Sequence, residues 1–173
     1  MERHILSVLV RNSSGVLSRV SGLFSRRGFN IESLTVGESY KDNTSRMTIA
    51  LKGNDDVLTQ FIRQLNKLED VIKIIKLEEK NSVYRELLLV KVEADDKKRA
   101  EINEIVNIFR CKIVDICKES LTIELTGDES KINALINLLD DFGIKEIART
   151  GSIALERGNN SIDSYGDYFE FEH

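Results

Sequence analysis

With 173 residues, 41% of them hydrophobic, the chain can form one domain or two small ones around an ordinary core. Its formal net charge of -4 resides in residues 158–173, which hold Asp163, Asp167, Glu170 and Glu172 and no Lys or Arg; elsewhere acids and bases balance, so no overall field favours nucleic acid. No apolar run approaches the ~20 residues that span a bilayer, and Cys111 and Cys117, without a companion His cluster, read as reduced, semi-buried strand residues, so a cytoplasmic protein is expected.

Residues 4–10 read as a central strand, with Leu6, Val8 and Val10 on one face and Ile5 and Leu9 on the other. The polar turn Arg11-Asn12-Ser13-Ser14-Gly15 follows. Val16, Leu17, Val20, Leu23 and Phe24 then form one helical stripe, which Ser13 or Ser14 can cap and Gly28 can stop. Residues 30–38 and 46–51 read as a hairpin around Tyr40-Lys41-Asp42-Asn43. Gly53-Asn54-Asp55 opens a second helix with Val57, Leu58, Phe61, Ile62, Leu65 and Leu68 on one side, and residues 71–77 give a fourth strand. The order is βαββαβ.

After a polar break at 78–82 the order returns: strand 85–93, helix 97–110, strands 112–116 and 121–125, helix 130–142 and strand 144–155, with Gly143 as the second helix stop. The fold expected is α+β: two tandem ferredoxin-like βαββαβ domains, residues 1–80 and 81–157, each an antiparallel sheet with helices on one face. The other face must meet something, so a homodimer built at least through the first repeat is expected, by sheet packing or through edge strands. Residues 158–173 read as an acidic, mobile tail.

Catalytic groups are missing from the pattern. His4 and His173 are the only histidines, and no nucleophile with a partner, metal-ligand spacing or Gly-rich phosphate loop is visible. Asp55, Asp56, Glu69 and Asp70 flank a helix and read as cap and surface charges. An RNA-binding sheet would need outward aromatics on its central strands, and residues 46–51 carry none.

The turn before the first helix is shaped for a small zwitterion. A carboxylate can sit on the N–H groups of Gly15, Val16 and Leu17 at the helix start, with Gly15 giving room for the ligand backbone. The carboxamides of Asn12 and Asn30 can serve both its ammonium and its carboxylate, and an apolar ligand side chain would rest on Val16, Leu17 and Ile31. An ordinary turn and cap is the bland alternative on spacing alone.

The runs GLFSRRGFNIESLTVG (22–37), SRMTI (45–49), KLEDVIKI (67–74), IFRCKIVDI (108–116) and EIARTG (146–151), in this order, resemble the small regulatory subunits of acetolactate synthase, also called acetohydroxyacid synthase. The resemblance covers residues 4–158. It implies an N-terminal ACT domain, a second ferredoxin-like domain and no catalytic activity or cofactor in this chain. The partner it implies is the large catalytic subunit, which carries thiamine diphosphate, magnesium and FAD. That subunit is activated and made sensitive to valine, which lies between the ACT domains of two protomers. The family's Asn and Gly in the turn match Asn12 and Gly15, and its Asn opening the second strand matches Asn30, which would face the ligand from the other protomer with Ile31. Ser14 stands where many relatives have Pro. A free-standing amino-acid-sensing ACT protein with another partner is the alternative.

Overall fold

The computed structural model describes residues 2–27 and 29–165. The chain divides into two compact units, one running to Val83 and resuming at Ile153, the other spanning Tyr84–Ser152.

The first unit contains β1 (Glu2–Arg11), α1 (Val16–Arg27), β2 (Ile31–Glu38), β3 (Thr44–Gly53), α2 (Asp55–Leu65) and β4 (Val71–Leu77). The sheet order is β2-β3-β1-β4, every pair antiparallel, which places β1 centrally as its two apolar faces require. Leu6, Val8 and Val10 of β1 pack with Met47, Ile49 and Leu51 of β3 against Val16, Val20 and Phe24 of α1 and Leu58, Phe61, Ile62 and Leu65 of α2. Phe24 stacks on Phe61 at 4.8 Å between centroids, and Phe29 meets the same ring edge-on at 5.0 Å. The Asn54 side chain caps α2 by accepting from Val57 N at 3.0 Å. Gly28, expected to stop α1, lies outside the described residues.

A 3-10 turn, Glu79–Asn81, leads to β5 (Ser82–Glu93), α3 (Lys98–Phe109), β6 (Lys112–Cys117), β7 (Ser120–Gly127), α4 (Glu129–Asp140) and β8 (Ile144–Arg149). The second sheet runs β6-β7-β5-β8. Its core joins Leu88, Val90 and Val92 to Leu121, Ile123 and Leu125 and to Ile102, Val106, Ile132, Leu135 and Leu139 of the helices. Both units thus have the α+β, ferredoxin-like order expected of the repeat. Asp128 caps α4 through Lys131 N at 2.8 Å, and Gly143 takes a φ of +90° after it.

Four expectations change. Residues 144–155 do not form one strand: Gly151, at φ +77°, breaks it after β8, and a separate short β9 (Ile153–Glu156) belongs to the first unit. Cys111 and Cys117 are both free thiols, but Cys111 precedes β6 and Cys117 is exposed at its end, so neither is a semi-buried strand residue.

The third change concerns the sheet face away from the helices. In the first unit this face is covered by the chain itself. β9 and residues 162–164 lie against β4; Ala154 and Ile162 are buried, as are Ile75 and Leu77 of β4. Asp163 accepts from Tyr40 Oη at 2.7 Å and pairs with Lys41 Nζ at 2.5 Å; Tyr165 Oη donates to Glu156 at 2.6 Å, and its carbonyl accepts from Lys73. Arg157 N donates to Asn81 O at 2.7 Å. Residues 158–165 are therefore held in place, contrary to the expectation of a mobile tail; the rest of that tail lies outside the described residues. The sheet face supplies no reason for a second copy. β2 is an edge strand, paired on one side with β3 and on the other with no strand among the described residues.

Candidate functional site

The turn between β1 and α1 is built by backbone bonds to two other loops. Arg11 N donates to Asp70 O at 2.8 Å and Asn12 N to Asn43 O at 2.7 Å, so the end of β1 is clamped between the start of β4 and the β2–β3 hairpin. Gly15 has a φ of +83°, which an L side chain rarely adopts, and its carbonyl accepts from Arg19 N at 2.9 Å to begin the helical ladder.

The site residues divide by environment. Val16 belongs to the core at 4% exposure, and its N–H turns back to Ser13 O at 3.4 Å. Its side chain is therefore not a ligand surface, a correction to the expected contact. Gly15 N and Leu17 N have no protein acceptor among the described residues, and the Leu17 side chain is 48% exposed beside them. Ser13, expected to cap α1, instead sends its hydroxyl to the Asp70 carboxylate at 3.3 Å. Asn12 and Asn30 are exposed, and neither carboxamide has a partner among the described residues.

Within one chain the two asparagines stand at opposite ends of the sheet. Asn12 N meets Asn43 beside Thr44 at one end of β3, whereas Asn30 O accepts from Lys52 N at 3.2 Å near the other end. The length of β3 between them is about 26 Å at ~3.3 Å per residue. Ile31 packs half-buried against the first core, next to Asn30. The chain therefore brings together Asn12, Gly15 and Leu17 but not Asn30 and Ile31.

Two charged residues join the turn that the sequence reading left out. Arg19 Nη2 reaches Asp70 Oδ2 at 2.6 Å and its Nε the same oxygen at 2.7 Å, laying the guanidinium over Gly15: a Cβ built there would stand 3.1 Å from Arg19 Nη1. At the other end of β2, Glu32 accepts from Arg3 Nε at 2.8 Å and pairs with Lys52. Burial works against its carboxylate, but the Lys52 and Arg3 hydrogen bonds outweigh that and hold its pKa below the usual glutamate value.

The arrangement can hold an anion at the helix start but offers no nucleophile or proton-transfer pair at the turn. Among the described residues no helix is long and apolar enough to cross a membrane. Burial pushes the Cys111 thiol up, away from a reactive thiolate.

Residues 6–73 match the family model described as the AHAS small subunit-like ACT domain, and residues 85–158 match that of the small subunit of acetolactate synthase. The chain is 55% identical over 157 residues to a probable acetolactate synthase small subunit of Archaeoglobus fulgidus, covering 91% of this chain and 98% of that one. It is 54% identical over 159 residues to the acetolactate synthase small subunit of Mycolicibacterium smegmatis, covering 92% and 94%. The crystal structure of the small subunit of acetolactate synthase from Thermotoga maritima superimposes with a TM-score of 0.86 at 45% identity, over 92% of this chain and all of that one.

Proposed function

This chain belongs to the family of acetolactate synthase small subunits, and from that premise we propose that it binds the catalytic subunit of acetolactate synthase, activates it and confers feedback inhibition by valine or a related branched-chain amino acid. The observation that carries this reading is the 55% identity with a small subunit over nearly the whole length of both chains, which gives both units a counterpart. The chain itself is non-catalytic in this reading and holds no cofactor; thiamine diphosphate, magnesium and FAD belong to the catalytic subunit. Residues 1–80 act as the effector and dimerisation domain and residues 81–157 as the second ferredoxin-like domain.

The separation of Asn12 from Asn30 fits a site shared between two protomers of a homodimer. If β2 pairs antiparallel with β2 of a second copy about a two-fold axis, residue 31 of one copy comes beside residue 38 of the other. Glu38 pairs with Ser45, at the end of the sheet where Asn12 bonds Asn43. Asn30 of the partner subunit then approaches the turn that holds Gly15. The exposed side chain of Val36, on the same edge, would be covered by this pairing.

An amino acid in such a site meets the N–H groups of Gly15 and Leu17 with its carboxylate, both carboxamides with its polar groups, and Leu17 and the partner's Ile31 with its side chain. Regulation then follows from linkage. The effector changes activity only by binding two arrangements of the regulatory dimer unequally, while the catalytic subunit prefers one of them. Calorimetric titration of the purified chain with valine, leucine and isoleucine, followed by reconstitution with the catalytic subunit, tests the reading. Binding of one of them together with effector-sensitive activation supports it. Absence of binding, with no effect on the catalytic subunit, overturns it.

A further inference from the structure

We propose that Glu2, His4 and Asp55 form a binding site for a divalent transition-metal cation at the junction of β1 and α2. The proposal does not rest on the effector reading: the site lies at the opposite end of β1 from the Gly15 turn, at the end of the sheet where Asn30 O accepts from Lys52 N.

The fold brings the three residues together although 51 positions separate His4 from Asp55. Glu2 and His4 alternate onto one face of β1, and the antiparallel register pairs them with Gly53 and Leu51 at the end of β3. Asn54 caps α2 immediately after, so that Asp55, its first residue, turns back beside the start of β1. One ligating atom from each residue lies within 4.8 Å of the others. Bonds of about 2.0–2.2 Å from an imidazole nitrogen and two carboxylate oxygens to one ion need these atoms closer still. The two carboxylates are exposed and free to move inward.

His4 is the fixed member. Its ring is buried at 4% exposure, and Nε2 lies 3.2 Å from Gly53 O. With Nε2–H donating to that carbonyl, Nδ1 carries a lone pair and has no partner among the described residues. A histidine oriented by a backbone carbonyl through one nitrogen, leaving the other basic, is the usual support of a metal-binding imidazole. Asp55 has a second reason for its place, the N-terminal dipole of α2. Glu2 has none, and no cation pairs with it among the described residues.

The donor set names the class of ion. One imidazole nitrogen with two carboxylates favours manganese, iron, cobalt or zinc over magnesium or calcium, and leaves the remaining positions to water. Bound there, the ion would pin the first residues of β1 to the first turn of α2.

Manganese is the probe of choice, because the free thiols Cys111 and Cys117 would compete for zinc. Chelator-treated protein is titrated with manganese alone, free ion being read by its paramagnetic resonance signal and folding by the thermal midpoint. One ion per chain is expected. Glu2→Gln and Asp55→Asn each weaken binding by at least about tenfold and remove the rise in midpoint with added manganese. His4→Gln does the same if it folds; the two exposed substitutions keep the test valid if it does not. No binding at millimolar manganese, or binding that survives both carboxamide substitutions, overturns the proposal.

Discussion

Arg19 and Asp70 form an ion pair of 2.6 Å that carries a guanidinium across the Gly15 turn, fixing the shape of the proposed effector site from a residue 51 positions away. Arg19 is about half exposed, so the pair contributes under ~1 kcal/mol to stability, and its effect is mainly positional.

Gly15→Ala tests that shape. The substitution imposes a Cβ at φ +83°, at a cost of about 1 kcal/mol or more, and sets a methyl 3.1 Å from Arg19 Nη1. The thermal midpoint should fall by a few degrees, and valine binding should weaken far more than that loss of stability accounts for. Gly15→Asp adds a like charge where the ligand carboxylate would sit and should abolish valine inhibition while activation of the catalytic subunit largely remains. Valine sensitivity unchanged in both variants would count decisively against the site.

Asn12 and Asn30 are exposed and their carboxamides have no partner among the described residues, so replacing either with Ala should alter stability by less than ~0.5 kcal/mol. Each variant alone should lose valine inhibition. Mixed dimers of Asn12→Ala with Asn30→Ala protomers should recover it in part, because one of the two shared sites then has both asparagines intact. A mixture as insensitive as either parent would place both carboxamides in a single-chain site or in none.

The elements that the sequence made legible are those with local causes. The alternation in Leu6, Val8 and Val10, the stripe from Leu58 to Leu65, and the opening of α2 at Asn54 each depend on neighbours within a turn or a strand, and these elements formed as expected. The misses are long-range. Asp70 read as a surface charge because nothing near it in sequence announces Ser13 and Arg19. Val16 read as a ligand contact because the stripe does not say which of two adjacent apolar residues faces the core. Residues 158–165 read as mobile from their polar composition, yet Ile162 alone supplies a buried anchor that Asp163 and Tyr165 flank with hydrogen bonds.

That anchor can be cut. Ile162→Ala should cost about 2–3 kcal/mol, since the side chain is buried and its loss leaves a void against the first sheet. Asp163→Asn, at a solvent-screened ion pair, should cost much less. Hydrogen exchange in β4 should accelerate in the first variant and hardly change in the second; equal effects would mean that the charges, not the apolar contact, hold the segment.

Glu86 and Arg149 provide the corresponding test in the second unit. Arg149 Nε and Nη2 reach the two oxygens of Glu86 at 2.6 and 3.1 Å, and Glu86 is buried while Arg149 is about one-third exposed. The arginine of the EIARTG run thus has a structural role. Glu86→Gln should destabilise the chain by about 2–3 kcal/mol, at the low end for a broken buried pair because Arg149 retains some water. Denaturant unfolding checks this, and a loss below ~0.5 kcal/mol would show that the pair is energetically idle.

The pH response of the β2 edge follows from Glu32. Its folded pKa lies below the ordinary value of 4.5, because hydrogen bonds from Lys52 and Arg3 outweigh the opposing effect of burial. A carboxylate depressed in this way contributes stability that is fully present above its unfolded pKa and is lost as pH falls through the lower folded value. Its contribution should therefore be flat from neutrality to about pH 5 and decline below 4.5. Arg3 belongs to β1, Glu32 to β2 and Lys52 to β3, so protonation loosens the end of the sheet that carries Asn30. Glu32→Gln should match the acid-weakened chain near neutrality, with a stability lower by about 0.5–1 kcal/mol, and should show a shallower decline below pH 4.5. Denaturant midpoints of both proteins across pH 3–7 check the sign: parallel curves through the acid range would mean that Glu32 binds its proton equally in the folded and unfolded chain.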